Sequence, residues 1–155
     1  SKLSYTNDNL NLSGDFRATG NIYVSGSPVL TGTTNAYIRT IGLTVSSGDA
    51  AIAPGIKGDI MVPYSCVINE ITLLTDITGN FLVDIWKTSY ANFPPTSGNT
   101  ITGSAPPRIS GAIKYQDSTL AGWTTAVTGG DVIRFNVNSA TSGTRLHLLL
   151  KCTVT

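Results

Sequence analysis

His147 is the one histidine of the chain, set in Arg145-Leu146-His147-Leu148-Leu149-Leu150, a run apolar enough for a buried strand. Nucleophilic catalysis would need its ring beside an activated Ser or Cys and an acid that orients it. Nothing in the spacing selects one serine among so many. The expected role is a strand histidine that is satisfied locally or faces solvent. Asp76, Asp84, Asp131 and Glu70, the only glutamate, could offer oxygen to calcium. Hard cations want several oxygens clustered on one loop. The nearest stretch, Thr75-Asp76-Ile77-Thr78-Gly79-Asn80, holds one carboxylate. It reads better as a hairpin turn whose Asp76 and Asn80 bond the backbone. Cys66 and Cys152 have no second Cys pair or His cluster near them in sequence, so a zinc site has no support. A disulfide between them is open to the chain; two buried free thiols are the expected state. No catalytic residue, metal ligand set or cofactor is assigned, and the chain is expected not to be an enzyme.

Flat aromatic faces are the remaining chemistry. Trp86, Tyr90, Phe93, Tyr115 and Trp123 could stack on sugar rings. Trp86 alternates in step with Asp84 rather than Ile85, which turns it outward or toward a neighbouring subunit. Trp123 follows Ala121-Gly122 in a turn. Both tryptophans are expected to pack over the ends of a sandwich or between subunits. Tyr90 and Phe93 sit on a Pro-rich stretch, and loops held on a rigid scaffold often carry binding. They are the candidates for contact with a partner or a glycan.

The elements that must position these residues are strands. Glycine numbers 16, proline 7, and Ser and Thr abound, while good helix formers are scarce. Charged residues are only 12% of the 155, and ten Lys and Arg nearly cancel nine Asp and Glu. Such neutrality excludes a nucleic-acid-coating protein. The 41% of hydrophobic residues is enough to bury a core, which excludes charge-driven disorder. No apolar run approaches the roughly 18 residues of a membrane span, so no membrane insertion is expected. The opening residues lack the apolar core of a signal peptide, and Ser1 fits removal of an initiator Met.

Short strands are predicted over 36–45, 57–62, 67–75, 81–87, 109–115, 124–127, 132–137 and 145–153. Thr78-Gly79-Asn80, Gly129-Gly130-Asp131 and Ser142-Gly143 mark the turns, and Thr88 to Pro107 is a long Pro-rich connection. Eight or so strands at this spacing, with no convincing helix, predict an all-β, jelly-roll-like β-sandwich head over 36–155.

Residues 1–35 follow a different rule. Gly14, Gly20, Gly26 and Gly32 recur at a strict step of six. Each follows a hydroxyl residue, and before that comes Leu12, Ala18, Val24 or Leu30. Two residues earlier stand Leu10, Phe16, Ile22 and Pro28. Apolar-x-apolar triplets ended by a Ser/Thr-Gly turn send both apolar side chains to one face. Four such rungs cannot bury that face alone, and fixed-period repeats need stacked neighbours or identical partners. The expected arrangement is a homotrimer wound on Leu10, Leu12, Phe16, Ala18, Ile22, Val24 and Leu30, serving as shaft or attachment arm.

Several short motifs occur in an order that resembles a module of tailed-bacteriophage virion proteins. They are Val83-Asp84-Ile85-Trp86-Lys87, Pro94-Pro95-Thr96, Ile101-Thr102-Gly103-Ser104 and Pro107-Arg108-Ile109-Ser110. Leu120, Gly122-Trp123-Thr124 and Gly130-Asp131-Val132-Ile133-Arg134-Phe135-Asn136-Val137 continue the pattern, so the likeness covers about 55–154. Leu12 to Phe16 and Gly20 to Gly26 are similar to stretches that precede the heads of phage fibres. The resemblance implies a trimeric β-structural fibre tip, tail fibre or capsid decoration. It also implies a place on the virion surface after assembly in the host cytoplasm, with capsid or tail proteins as partners. Only about 35 residues precede the head, which favours a small capsid decoration (cement) protein or a piece of a longer fibre. A tail-fibre or tailspike tip that binds host-surface glycans is the alternative.

Overall fold

The computed structural model describes residues 37–155. The repeat positions, from Leu10 through Gly32, lie outside the described residues. The described residues form seven strands: β1 (Ile38–Ser46), β2 (Gly55–Met61), β3 (Cys66–Ser89), β4 (Arg108–Asp117), β5 (Ala126–Val127), β6 (Asp131–Ala140) and β7 (Arg145–Val154). Among the described residues the only helical turns are two short 3-10 segments, Tyr90–Asn92 and Ser97–Asn99. The described part of the chain is therefore all-β, as its turn-rich composition predicts.

All pairings are antiparallel, in one sheet of order β1-β7-β3-β6-β2, with β4 and β5 on the other edge of β3. The 24 residues of β3 organise it. Its first part pairs β7, from Cys66 opposite Val154 to Thr75 opposite Leu146. Its second part pairs β6, from Phe81 opposite Ala140 to Ser89 opposite Asp131. Thus β6 and β7 do not form a hairpin with each other. They follow β3 in succession along one edge, separated only by residues 141–144, while β3 itself continues unbroken. The segment 38–61 does the same on their far side, β1 against β7 and β2 against β6. Each long strand bends at the same level, and the bend turns one sheet into two halves that share a core.

The core confirms this. Ile68, Ile71, Leu73, Leu146, Leu148 and Leu150 come from one half, and Phe81, Val83, Ile85, Ile133, Phe135 and Val137 from the other. They form a single cluster. Inward positions are odd-numbered in β6 and even-numbered in β7. The residues between the two strands shift the phase so that both lengths face inward.

One expectation fails here. Thr78-Gly79-Asn80 is not a hairpin turn; β3 continues through it without reversing direction. The glycine answers to a close approach. A Cβ on Gly79 would lie 2.4 Å from the Ser142 hydroxyl, which itself donates to the Thr78 carbonyl at 2.9 Å. Asn80 serves the bend through its side chain, accepting from Gly111 N–H at 2.9 Å. Ser142-Gly143 likewise makes the matching bend between β6 and β7 rather than a hairpin reversal.

Candidate functional site

The half-sheet of β2, β6 and the second part of β3 presents three rows across its outer face, fixed by register. Met61, Val132 and Thr88 form one; Asp59, Arg134 and Trp86 the next; Ile56, Asn136 and Asp84 the third. The connection after β3 lies over part of this grid. Thr100 makes an isolated bridge to Trp86, and the Phe93 ring sits 5.6 Å from the Arg134 guanidinium carbon.

Two charged groups hold the arrangement. Arg134 grips Asp59 with both ends of its fork, Nε to Oδ1 at 2.6 Å and Nη2 to Oδ2 at 2.7 Å, and donates Nη1 to the Pro95 carbonyl at 2.9 Å. This paired geometry is the strong form of the interaction. The bond to Asp59 pushes the Arg134 pKa up. Asp84 accepts from Thr100 Oγ1 at 2.6 Å, Thr102 Oγ1 at 2.7 Å and its neighbour Ile85 N–H at 2.8 Å, all through Oδ1. Its Oδ2 accepts from Trp86 Nε1 at 2.6 Å. Trp86 is thus outward and in step with Asp84, as alternation predicts, but half-covered by the connection.

Tyr90 and Phe93 are the aromatic side chains this connection leaves in solvent, 72% and 50% exposed. Trp123 is tied down instead, its Nε1 donating to the Ala105 carbonyl at 3.0 Å. Tyr115 packs half-buried against the core, and burial raises its pKa.

The other candidates fall elsewhere. His147 lies on the outer face of β7, with Nδ1 2.8 Å from Thr44 Oγ1 on β1. Asp131 is buried and accepts from Lys87 Nζ and Thr128 N–H, both at 2.9 Å. Glu70 accepts from Gln116 Nε2 at 3.1 Å. Among the described residues, no three His, Cys, Asp or Glu side chains converge as a metal site would require. Cys66 and Cys152 are both free and buried. They are diagonal neighbours across β3 and β7. Burial pushes the Cys152 thiol up to about 12 and raises Cys66 as well. Such thiols are inert nucleophiles.

Asp76 stands at the bend. It accepts from Thr144 Oγ1 at 2.6 Å, Thr144 N–H at 3.0 Å and Arg145 N–H at 3.1 Å. The Thr144 hydroxyl first, then the two backbone donors, hold its carboxyl well below the usual carboxylate range. A depressed native pKa adds stability above the unfolded value, about 4, and loses it as pH falls toward the native value. The stability gap between the protein and Asp76→Asn is expected to shrink as pH drops below about 4. Thermal melts from pH 6 to pH 2 check this, and a gap independent of pH contradicts it.

No family model matches this chain, and no curated protein matches it. The site therefore rests on its own geometry. The sequence alone does not mark Arg134, Asp59, Thr100 or Thr102 as functional. A charge alternating with Ile133 and Phe135 is the one signal that marks Arg134 as outward and engaged. Its partner stands 75 residues away.

Proposed function

We propose that this chain is a non-enzymatic structural protein of a bacteriophage virion. It is a homotrimer that decorates and cements the capsid surface, with jelly-roll-like heads outward and the hexad repeats of 1–35 as the assembly device. One observation carries the structural role. The carboxylates best suited to chemistry are committed to bonds within the head: Asp59, Asp76, Asp84 and Asp131 each receive two or more donors. Among the described residues no buried side-chain polar atom lacks a partner. That is the economy of a rigid scaffold. The ribbon of 38–61 on 131–154, folded over at its middle, supports the jelly-roll-like description.

The motif order and the repeats support the virion setting. In a trimer, Leu10, Leu12, Phe16, Ala18, Ile22, Val24 and Leu30 leave water together, and that burial drives assembly. Phe16→Asp or Ile22→Asp is expected to dissociate the trimer while the heads keep their cooperative melt. Light scattering with circular dichroism reads both, and variants that remain trimeric contradict the reading.

The exposure of Tyr90 and Phe93 favours a second reading, a tail-fibre or tailspike tip that meets host-surface glycans. Three weak contacts on one particle would gain strength through avidity. Binding on a glycan array that is lost in Tyr90→Ala would establish it, and silence of the intact protein would remove it.

A further inference from the structure

We propose that the outer face of β2 and β6, edged by Phe93, turns toward the three-fold axis and meets the same face of neighbouring copies. This rests on the trimeric reading above. Ile56, Met61 and Phe93, each at least half exposed, surround the Asp59–Arg134 pair on this face. The charges at its centre already neutralise one another, and the Arg134 side chain is only 11% exposed. Covering the Asp59–Arg134 pair therefore strands neither of its charges, which is the usual penalty of burying one.

The opposite outer face differs. Lys114, Arg145 and Lys151 there have no acid within ion-pair distance among the described residues, where the only pairs are Lys87–Asp131 and Arg134–Asp59. Covering that face would desolvate three cations. β2 is also a sheet edge, paired to β6 alone.

The site of entry points to a second copy as occupant. The hexad repeats precede Tyr37, whose carbonyl accepts from Val154 N–H at 2.9 Å. Thr155 N–H donates to Ser65 at 3.1 Å, and Gly130 N–H to Val62 at 2.7 Å. The start of β1 and the end of β2 thus lie at one end of the head. Copies joined ahead of Tyr37 would raise the effective concentration of one head for another, where a modest apolar patch suffices.

Crosslinking of the full chain tests this. Met61→Cys places a thiol on the face, and Lys114→Cys places one on the opposite face. The native thiols, 1% and 0% exposed, do not compete for a short bismaleimide. The expected result is interchain crosslinking of Met61→Cys at about tenfold or more the yield of Lys114→Cys. A trimer by light scattering in which Lys114→Cys links as well as or better than Met61→Cys overturns the face and leaves the trimer standing. A monomer by light scattering with no crosslink from either variant overturns the trimer itself. Crosslinking of Met61→Cys abolished by a host glycan would give the face to that ligand instead and overturn the proposal.

Discussion

Gly143→Ala is expected to cost the head about 4 kcal/mol of folding stability, against about 1 kcal/mol for Gly48→Ala. Both glycines have left-handed backbone, with φ of 97° and 71°. Both alanines therefore pay the conformational penalty. They differ in surroundings. A Cβ on Gly48 meets nothing within 4 Å, whereas one on Gly143 would lie 2.6 Å from Thr75 Oγ1 and 2.8 Å from Phe81 Cζ. Phe81 is among the largest fully buried side chains and cannot retreat without opening the core. The difference between the variants thus measures how tightly the bend between β6 and β7 closes on the bend of β3. Urea denaturation of both provides it. Equal losses would mean that the two bends do not pack on each other.

Asp84→Ala is expected to cost about 3 kcal/mol or more, and Asp84→Asn clearly less. Alanine leaves the donors of Thr100, Thr102, Trp86 and Ile85 without their acceptor. Thr102 is 1% exposed, so its hydroxyl cannot turn to bulk water. Asparagine keeps one oxygen and sets an amide against the Trp86 N–H, which removes a single good contact. In Asp84→Ala the segment from Thr100 to Thr102 should come loose from β3. Amide exchange at Ile101, whose N–H donates to the Ile85 carbonyl at 2.8 Å, should quicken before global unfolding. Unchanged protection of Ile101 would show that the carboxylate does not anchor this connection.

The strands were legible because alternation and turn formers mark them locally. Val83, Ile85 and Phe81 inward with Asp84 and Trp86 outward follow from period two alone. The bends were not. Thr78-Gly79-Asn80 and Ser142-Gly143 carry residues that serve a hairpin and a bent strand equally well. Which of these they make depends on the partner strand, and pairing across 60 residues leaves no local trace. The same distance hides the Asp59–Arg134 fork and the convergence of Thr100 and Thr102 on Asp84. His147 reads in the structure as the sequence suggests, a strand side chain satisfied by a neighbour, here Thr44. The Pro-rich stretch marks Tyr90 and Phe93, and both side chains are exposed. The exposed Ile56 and Met61 of β2 are not legible in the sequence, because a lone outward Ile or Met carries no signal until register groups it with others.

Solution mass tests most directly whether the hexad repeats assemble the protein. Light scattering should give three times the 16.2 kDa chain mass for the intact protein and a single chain for one that begins near Thr33. A monomer in both cases would contradict the trimer. A trimer that survives truncation would contradict the assignment of assembly to the repeats.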